Sequence, residues 1–524
     1  MEVYKTKRTE LFIQFFLAIA ILFLFFIAII LNFTPPIARD ALIHHLAIPK
    51  LWLLNGGFYE TKWAEFSYYP MNIDLLYLIP LFFHNDIIPN FIHMGFGIGT
   101  AWLIYRYLNT RLNRVSGLLG GLVFVSTPIV FRLSTIAYVD LGLVFFTTAS
   151  ILAFFKWRDL GYKGYKWILI SSVAMGLALG SKYNALIAWF FLSLSIVFFY
   201  SRDTEKQWKA VGYGSLFFLV SLAFFSPWLI KNLILTGNPL FPLFKGVFNP
   251  TVNNISPFTG LPTVMHADAE MGIFKMREML YKENFLETLL IPLRFFFQGQ
   301  DHTDRYFEGV LNPILILMVP FAFMTRTLHK EKMFFMLFSV FFLLTAFFLE
   351  QPRVRYVLPA IPLLSILAVI GITNIFAWAG RKSGKVRHWL VCMTALLVLI
   401  LGAKSVIYVN QYFQSLKPMN YILGKETRDD YLKRHLPFYG AMSFINQHTP
   451  LNARVRMFLL AGRGYYLDRL YEEDASFGMD VIFGFVINSK EDLSFERYIE
   501  SLGCTHFLLR KDMFLKYLKD NFPP

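Results

Sequence analysis

Residues 11–31 have the sequence LFIQFFLAIAILFLFFIAIIL, an apolar run in which Gln14 is the only polar residue. A helix needs about 20 residues to cross the hydrocarbon core of a bilayer, so this run is long enough to span it. Lys5, Lys7 and Arg8 precede the run, and no small-residue cleavage site follows it. It is therefore predicted to be a retained membrane anchor whose N-terminus is cytoplasmic.

The composition extends this prediction to the whole chain. Of the 524 residues, 56% are hydrophobic and 58 are phenylalanine, and the mean hydropathy is +0.48. A water-soluble domain could not bury this much apolar surface. The formal charge of +15 comes from short Lys and Arg clusters between apolar runs, so nucleic acid is not an expected partner. Cys392 lies in an apolar run and Cys504 near the C-terminus, so no disulfide is expected.

Ten further apolar runs raise the predicted number of membrane spans to about eleven. They cover residues 88–108, 115–132, 139–157, 166–181, 184–200, 211–233, 309–326, 332–349, 356–378 and 388–408. Residues 71–84 form a shorter run that contains Asp74 and Pro80. This run is predicted to be a helix lying at the outer interface.

The basic clusters support this alternation, because short cytoplasmic loops are rich in Lys and Arg. Clusters lie at 106–114, 156–166, 202–209, 326–332 and 381–387, all on the cytoplasmic side if residues 71–84 do not span. An odd number of spans places the C-terminus outside. The outward parts are then residues 34–87, the turn near 133–140, residues 234–308 and the tail from about 410, and function is expected there.

The tail predicts a second domain. Residues 1–410 form the predicted transmembrane domain, and residues 411–524 form a small extracytoplasmic α/β domain. Within the tail, residues 428–448 are predicted to form an amphipathic helix. Residues 453–461 and 504–510 read as strands, and residues 494–503 as a helix that Gly503 ends.

Asp40 is the foremost candidate catalytic residue. It follows the first span in TPPIARDALIHHLAIPK, where Pro35 and Pro36 end the helix. The amphipathic segment after it carries His44 and His45. A carboxylate at the membrane edge can act as a general base. Capping of the following helix by the Asp40 side chain is an equally good explanation from the spacing alone.

Asp140 is the second candidate, because it begins a span at the same outer level in STIAYVDLGLVFF. The alternative is again a favourable position at a helix N-terminus. Lys182 and Tyr183 lie in an outward turn between two spans. A lysine on the outer face opposes the positive-inside bias, which makes an anionic partner plausible.

Arg353, Arg355 and Tyr356 precede the tenth predicted span. Such an arginine pair suits a phosphate at headgroup level, although anchoring to lipid headgroups is the alternative. His302 lies in the acidic loop GQDHTDRYFEG and is a candidate metal ligand, but the loop has no recognised ligand spacing, which favours simple solvation.

The order of these features resembles the GT-C glycosyltransferases, the polytopic superfamily of protein O-mannosyltransferases, aminoarabinose transferases and oligosaccharyltransferases. The resemblance rests on an acidic residue after span one, Asp40, and on the motifs SYYPMNIDLLY, STIAYVD, GLALGSKYNAL, PWLIKNLILTGNPLFPLF, RVRYVLPAIPLL, KETRDDYLKRHLPFYGAM and GRGYYLDR. Together these motifs extend over most of the chain.

The resemblance implies a GT-C transmembrane fold in the inner cell membrane. It also implies transfer of a sugar, with inversion, from a polyprenyl-phosphate carrier to a lipid, glycan or protein acceptor on the outer face. Asp40 would be the base, and Asp140 would orient the acceptor or help to bind a divalent metal ion, the one cofactor the resemblance allows. Substrate or lipid phosphate would contact the remaining candidates, which are Lys182, Tyr183, Arg353, Arg355, Tyr356, His44 and His45.

The sequence departs from the pattern at two positions. Many relatives have two adjacent acidic residues after span one, whereas Asp40 stands alone between Arg39 and Ala41. The Lys-Pro-Pro that often begins the second outer helix is replaced by Tyr69-Pro70-Met71, so a phosphate contact at this point is not carried over. Lys62 and His45 are two alternative substitutes, and the sequence favours neither. A transporter or flippase, and a non-catalytic scaffold on the same fold, are the alternative functions.

Overall fold

The computed structural model describes residues 2–248, 272–348, 352–382, 384–460, 463–473 and 492–521. Helices dominate the chain as far as residue 448. The first twelve are α1 (Glu2–Asn32), α2 (Ala47–Leu54), α3 (Asn72–Phe82), α4 (Ile88–Arg111), α5 (Arg114–Val125), α6 (Pro128–Leu133), α7 (Asp140–Asp159), α8 (Lys166–Leu179), α9 (Ala185–Thr204), α10 (Gln207–Thr236), α11 (Lys245–Phe248) and α12 (Ile273–Tyr281).

Ten more helices precede the first strand. They are α13 (Phe285–Leu289), α14 (Ile291–Gln298), α15 (Ile314–Leu317), α16 (Val319–Ala322), α17 (His329–Phe347), α18 (Ile361–Gly380), α19 (Gly384–Leu416), α20 (Pro418–Ile422), α21 (Arg428–His435) and α22 (Tyr439–His448). We call residues 411–524 the C-terminal part. It adds strands β1 (Arg454–Phe458), β2 (Leu470–Glu473) and β3 (His506–Leu509), and helices α23 (Asp492–Ser501) and α24 (Lys511–Asn521).

The prediction of a multi-spanning helical membrane protein is confirmed. Six helical segments of the described chain are long and apolar enough to cross a bilayer. They are Arg8–Asn32, Asp140–Asp159, Ala185–Thr204, Gln207–Thr236, Val354–Gly380 and Gly384–Leu416. The five other predicted spans fall on α4 and α17, on the short helices α5 and α8, and on a broken segment.

That broken segment corrects the predicted span at 309–326. Instead of one helix it contains the four-residue helices α15 and α16. Pro320 lies in the segment and has no N–H to donate, which favours a break in the helix without enforcing one. The break lies against α18, where a Cβ on Gly371 would be 2.0 Å from the Met318 carbonyl oxygen. Only a residue without a side chain fits there. The close contact with α18 covers the irregular backbone with protein, because backbone groups without helical hydrogen bonds cannot be exposed to lipid.

The basic loops meet at one end of the helix bundle. Arg111 and Asp159, at the ends of α4 and α7, form an ion pair of 2.6 Å. Asp203, near the end of α9, contacts Arg158 and Lys330 at 2.6 Å each. The contacts bring together four of the loops for which the charge pattern predicted one side. We call the opposite end, where α1 ends and α7 begins, the site end.

Short helices cover the site end. A π-helical turn at Ala41–His45 leads into α2, and α3 follows after a loop. The helix α3 covers Asn72–Phe82, close to the interfacial helix predicted at 71–84. It packs closely on α7, because a Cβ on Gly142 would be 1.8 Å from the Ile73 side chain. This packing fixes α3 beside the start of α7.

The C-terminal part contains a three-stranded parallel sheet in the order β2-β1-β3. The strands predicted at 453–461 and 504–510 correspond to β1 and β3. The helix predicted at 494–503 corresponds to α23, and Gly503 has the left-handed φ of 62° that suits a residue just after a helix. The single amphipathic helix expected at 428–448 is instead divided into α21 and α22, because Pro437 cannot donate the hydrogen bond that would join them.

Candidate functional site

Asp40 forms an ion pair with Arg355 at the site end. Both side chains are largely buried, with 14% and 15% of their surface exposed. Asp40 directly precedes the π-helical turn, but its side chain makes no capping hydrogen bond there. The capping explanation of Asp40 is therefore wrong, and the carboxylate faces a cation contributed by a distant part of the chain.

The electrostatics of Asp40 favour its charged form. Burial by itself would raise the pKa of the Asp40 carboxyl, but the positive charge and the hydrogen bond of Arg355 more than compensate. The pKa of Asp40 therefore lies well below its ordinary value, and the group is a carboxylate at neutral pH.

Asp140 forms the second ion pair of the site. Its Oδ1 atom lies 2.7 Å from the Lys182 Nζ atom, and the Asp140 side chain is fully buried. The second oxygen, Oδ2, is also buried and has no hydrogen-bond partner among the residues that the structure describes. Such an acceptor is costly unless something donates to it, which makes this oxygen a candidate for contact with substrate.

Aromatic residues join the two ion pairs into one cluster. Tyr138 accepts a hydrogen bond of 3.1 Å from the Asp40 backbone N–H, and its ring lies 6.0 Å from the Arg355 guanidinium. The Tyr356 ring lies 5.7 Å from that guanidinium and 5.8 Å from the Lys182 Nζ atom. The structure thus brings together four sequence candidates, Asp40, Asp140, Lys182 and Arg355, with Tyr356 between the cations.

His93 holds the turn that positions Asp140. Its Nδ1–H group donates to the carbonyls of Leu133 at 2.8 Å and Ile136 at 2.7 Å. Its Nε2 atom accepts from the Leu141 N–H at 2.9 Å. These partners assign the neutral tautomer with the proton on Nδ1. His93 was not among the site residues predicted from the sequence, although a histidine within an apolar run is a visible signal.

The two histidines after Asp40 differ in their contacts. His45 Nδ1 lies 2.7 Å from Asp74 Oδ1, and both side chains are buried. Burial lowers the pKa of His45 and raises that of Asp74. Both shifts favour the uncharged form of each group in this hydrogen-bonded pair. His44 stacks on the Phe66 ring at 4.6 Å, and burial lowers its pKa to about 3.

Two other sequence candidates lie in separate networks. The Tyr183 hydroxyl donates to the Phe241 carbonyl at 2.9 Å and accepts from the Asn232 side chain at 3.0 Å. Arg353 forms ion pairs with Glu308 at 2.8 Å and Asp304 at 3.2 Å. Both residues therefore hold loops in place, and the structure does not bring them into the cluster around Asp40.

The described residues do not fit a metal centre. They include no group of three or more His, Cys, Asp or Glu side chains that could hold a metal ion. Of the two candidate ligands, Asp140 has one oxygen engaged by Lys182. His302, with a left-handed φ of 61°, lies in the loop between α14 and α15, whose residues Asp304 and Glu308 contact Arg353.

A segment of the C-terminal part lies along the loop that carries Asp40. The Tyr466 hydroxyl donates to the Pro36 carbonyl at 2.6 Å, and the Tyr465 N–H donates to the Leu42 carbonyl at 3.3 Å. Lys50 of α2 donates to the Tyr465 carbonyl at 2.7 Å. Both tyrosines belong to the motif GRGYYLDR, for which the sequence predicted no individual role. The contacts show that it borders the site end.

A cavity of about 1000 Å³ lies between this segment, α2 and the end of α3. Its lining combines aromatic rings with paired charges. The lining includes Trp52, Phe58, Tyr439, Tyr465 and Asp468. A cavity of this size and mixed lining is typical of a site for an organic ligand.

Comparisons with known proteins agree with this architecture. A family model described as dolichyl-phosphate-mannose-protein mannosyltransferase matches residues 80–230. The crystal structure of ArnT from Cupriavidus metallidurans in the apo state is 14% identical, with a TM-score of 0.55 over 97% of this chain and 95% of that one. No curated protein sequence matches the chain.

Two ligand-bound structures are similar as well. ArnT from Cupriavidus metallidurans bound to undecaprenyl phosphate is 14% identical, with a TM-score of 0.53 over 91% of this chain and 88% of that one. The oligosaccharyltransferase AglB from Archaeoglobus fulgidus, in complex with an inhibitory peptide and a dolichol-phosphate, is 10% identical, with a TM-score of 0.56 over 95% and 70%. At such identities the likeness concerns the fold.

Proposed function

The chain has the GT-C fold of membrane glycosyltransferases, and from this premise we propose that it transfers a sugar from a polyprenyl-phosphate carrier to an acceptor at the site end. The acceptor is a lipid, glycan or protein. The site end faces away from the cytoplasm in this proposal, because the basic loops gather at the other end. In a bacterial cell the membrane would be the inner one.

The observation that carries the proposal is the meeting of Asp40 and Asp140 in one cluster with Arg355 and Lys182. Each acid is paired with a cation from a different part of the chain. Arg355 also interacts electrostatically with Asp140. A transporter would place such groups at mid-membrane depth, and a scaffold would not need them. The convergence favours catalysis over both alternatives.

Asp40 is the proposed general base. It takes the proton from the acceptor hydroxyl as that oxygen bonds to the anomeric carbon of the donor. The bond from this carbon to the phosphate oxygen breaks on the opposite face, and the phosphate leaves with the electron pair. The configuration at the anomeric carbon is therefore inverted, and the acceptor proton ends on Asp40.

The pairing with Arg355 implies that the donor activates the base. A carboxylate whose pKa is held low is a poor proton acceptor. A donor phosphate beside Arg355 would compete with Asp40 for the guanidinium, and its negative charge would disfavour the carboxylate. Both effects raise the pKa of Asp40, so proton abstraction becomes effective only when the donor is in place.

The other groups of the cluster have proposed roles in positioning. Lys182 and Arg355 hold the charge that the phosphate gains as it leaves. The Oδ2 atom of Asp140 accepts a hydrogen bond from a donor or acceptor hydroxyl, which satisfies the buried oxygen. Because phosphate is already a good leaving group, orientation and charge stabilisation supply most of the catalysis.

The cavity between the C-terminal part and α2 is the proposed acceptor chamber. Aromatic rings such as Trp52 and Phe58 offer apolar faces, and Asp468 offers hydrogen-bond acceptors beside them. This mixture suits an amphiphilic or glycan acceptor. Residues 411–524 would then form an extracytoplasmic domain that covers this chamber.

The experiment that tests the proposal measures sugar transfer by the purified chain in proteoliposomes. A panel of radiolabelled polyprenyl-phosphate sugars serves as donor, with membrane glycans and lipids as acceptors. Asp40→Asn keeps the size of the side chain and removes the base. We expect wild-type transfer from one donor and a loss of about 100-fold or more in the variant.

Asp159→Asn is the matched control. Asp159 also pairs with an arginine, Arg111, but at the end of the bundle away from the site. Its transfer rate should remain within about threefold of wild type. Equal transfer by the wild type and Asp40→Asn would remove Asp40 from its role, and failure of the wild type with every donor would contradict the proposed reaction.

A further inference from the structure

Most cations that the sequence suggested for phosphate binding are already paired with carboxylates. Lys182 is bound to Asp140, Arg355 to Asp40, and Arg353 to Glu308 and Asp304. A phosphate would have to compete for each of them. A cation near Asp40 binds phosphate most readily if no ion pair has to be broken first.

Arg463 meets this condition. Its Nε atom is buried and has no hydrogen-bond partner among the described residues. The guanidinium lies 5.7 Å from the Phe438 ring and interacts electrostatically with Asp40. A guanidinium that donates no hydrogen bond to a carboxylate of the described residues keeps its donors available for a ligand.

The backbone fixes Arg463 beside the Asp40 loop. Two residues after Arg463, the Tyr465 N–H donates to Leu42, which lies two residues after Asp40. One residue further, the Tyr466 hydroxyl donates to Pro36 on the other side of Asp40. Tyr465 and Tyr466 line the large cavity, so this segment separates the cavity from the Asp40 loop.

The local charge favours an anion. Burial lowers the pKa of Arg463, and the positive charge of neighbouring Arg39 lowers it further. Arg39 is exposed and adjoins Asp40. With Arg355 and Lys182, these arginines make four cations around two carboxylates. Two arginines that repel each other beside an already neutralised acid form a site for negative charge.

We propose that Arg463, together with Arg39, binds a phosphate group beside Asp40, so that the C-terminal part supplies one wall of the phosphate site. This inference rests on the proposed function for the identity of the ligand, a lipid-linked phosphate. The planar guanidinium can donate two parallel hydrogen bonds to phosphate oxygens.

The test measures binding of three probes to the full chain in nanodiscs: a polyprenyl phosphate, the uncharged polyprenol and inorganic phosphate as competitor. The wild type should prefer the polyprenyl phosphate to the polyprenol. Arg463→Ala should weaken binding of the polyprenyl phosphate about tenfold or more without changing that of the polyprenol. Arg463→Lys, which keeps the charge, should recover part of the loss.

Two controls separate direct contact from disturbed packing. Arg454→Ala removes an exposed arginine on β1 of the same part of the chain and should leave binding unchanged. Tyr466→Phe loosens the contact with Pro36 but keeps Arg463, and should weaken binding less than Arg463→Ala does. If inorganic phosphate displaces the polyprenyl phosphate, the site is assigned to free phosphate. If inorganic phosphate does not displace it, the site is assigned to the lipid-linked phosphate group.

The outcomes also separate the two proposals. If the wild type prefers polyprenyl phosphate and Arg463→Ala prefers it equally, the role of Arg463 is overturned and the proposed function stands. If Arg463→Ala and Tyr466→Phe lose affinity equally, direct contact by Arg463 is overturned. If the wild type does not distinguish polyprenyl phosphate from polyprenol, both the lipid-phosphate donor and the inference fail.

Discussion

Arg355 and Asp40 form a largely buried ion pair across 315 residues of chain. The pair joins the loop after α1 to the start of the segment that leads into α18. Its two partners depend on each other, because a buried charge without a counterion is expensive.

Removal of Arg355 alone should destabilise the protein more than removal of the pair. Arg355→Ala leaves the Asp40 carboxylate buried without its cation, and we expect the free energy of unfolding to fall by about 3 kcal/mol. The double variant Asp40→Asn/Arg355→Ala should be less destabilised than Arg355→Ala. Denaturant unfolding in detergent of the four members of this double-mutant cycle measures the difference, and simple additivity would contradict the predicted coupling.

His93 should prove essential for the position of Asp140. His93→Ala removes the donor to two carbonyls and the acceptor of the Leu141 N–H, which costs about 2 kcal/mol of stability. Transfer should fall through kcat, because the orientation of Asp140 is lost. His329→Ala, at an exposed position at the other end of the bundle, is the control and should change neither stability nor transfer. Unchanged unfolding of His93→Ala would contradict the role of His93.

Asp74 should make stability depend on pH. Burial raises its pKa to about 7, so between about pH 4 and pH 7 the folded protein keeps a proton on Asp74 that the unfolded chain loses. By linkage this contribution to stability is present at low pH and is lost as the pH rises towards 7. Asp74→Asn removes the titration.

The melting temperature of Asp74→Asn, compared with that of the wild type, should therefore increase as the pH is raised from 5 to 8. Thermal unfolding in detergent at four pH values measures this difference, with an expected size of a few degrees. Parallel pH profiles of the wild type and the variant would mean that Asp74 does not hold the proton.

The hydroxyl of Tyr466 should help to hold the C-terminal part against the first loop. Tyr466→Phe removes the hydrogen bond to Pro36, and we expect about 1 kcal/mol of stability to be lost. Limited proteolysis should release the C-terminal part faster than in the wild type. Tyr439→Phe is the comparison, because the Tyr439 hydroxyl donates to Asp429 within the C-terminal part. Equal proteolysis rates in both variants would argue against a role at the interface.

The sequence revealed features that depend on composition and chain order. The long apolar run before Asn32 and the basic loops predicted the membrane fold and its alternation, because hydropathy and Lys/Arg bias act locally. Asp40 and Asp140 stood out because a carboxylate at the end of an apolar run is unusual. The membrane fold and the alternation of its helices could therefore be predicted from the sequence alone.

Pairings between distant residues were not accessible in the same way. No local pattern states that Arg355 reaches Asp40 while Arg353, two residues earlier, reaches Glu308. Neighbouring residues in an irregular segment point in different directions, and only the tertiary arrangement decides their partners. For the same reason Arg463 could not be linked to Asp40 from the motif that contains it.

The helix broken at Pro320 shows a second limit. Its apolar content was that of a span, so composition favoured a continuous helix at 309–326. The observed break depends on the close approach of Gly371 in α18, a contact between segments that hydropathy does not record. Proline alone did not decide the matter, since α10 contains Pro227 and continues.

The bond between Tyr466 and Pro36 also has a consequence for biosynthesis. The two residues are 430 positions apart, so the first loop emerges early in translation and waits for its partner while the intervening helices enter the membrane. During that interval the carboxylate of Asp40 also lacks Arg355. A ribosome that stops before residue 355 thus leaves an inserted chain whose candidate site is incomplete, and the proposed transfer would have to wait until most of the chain has been made.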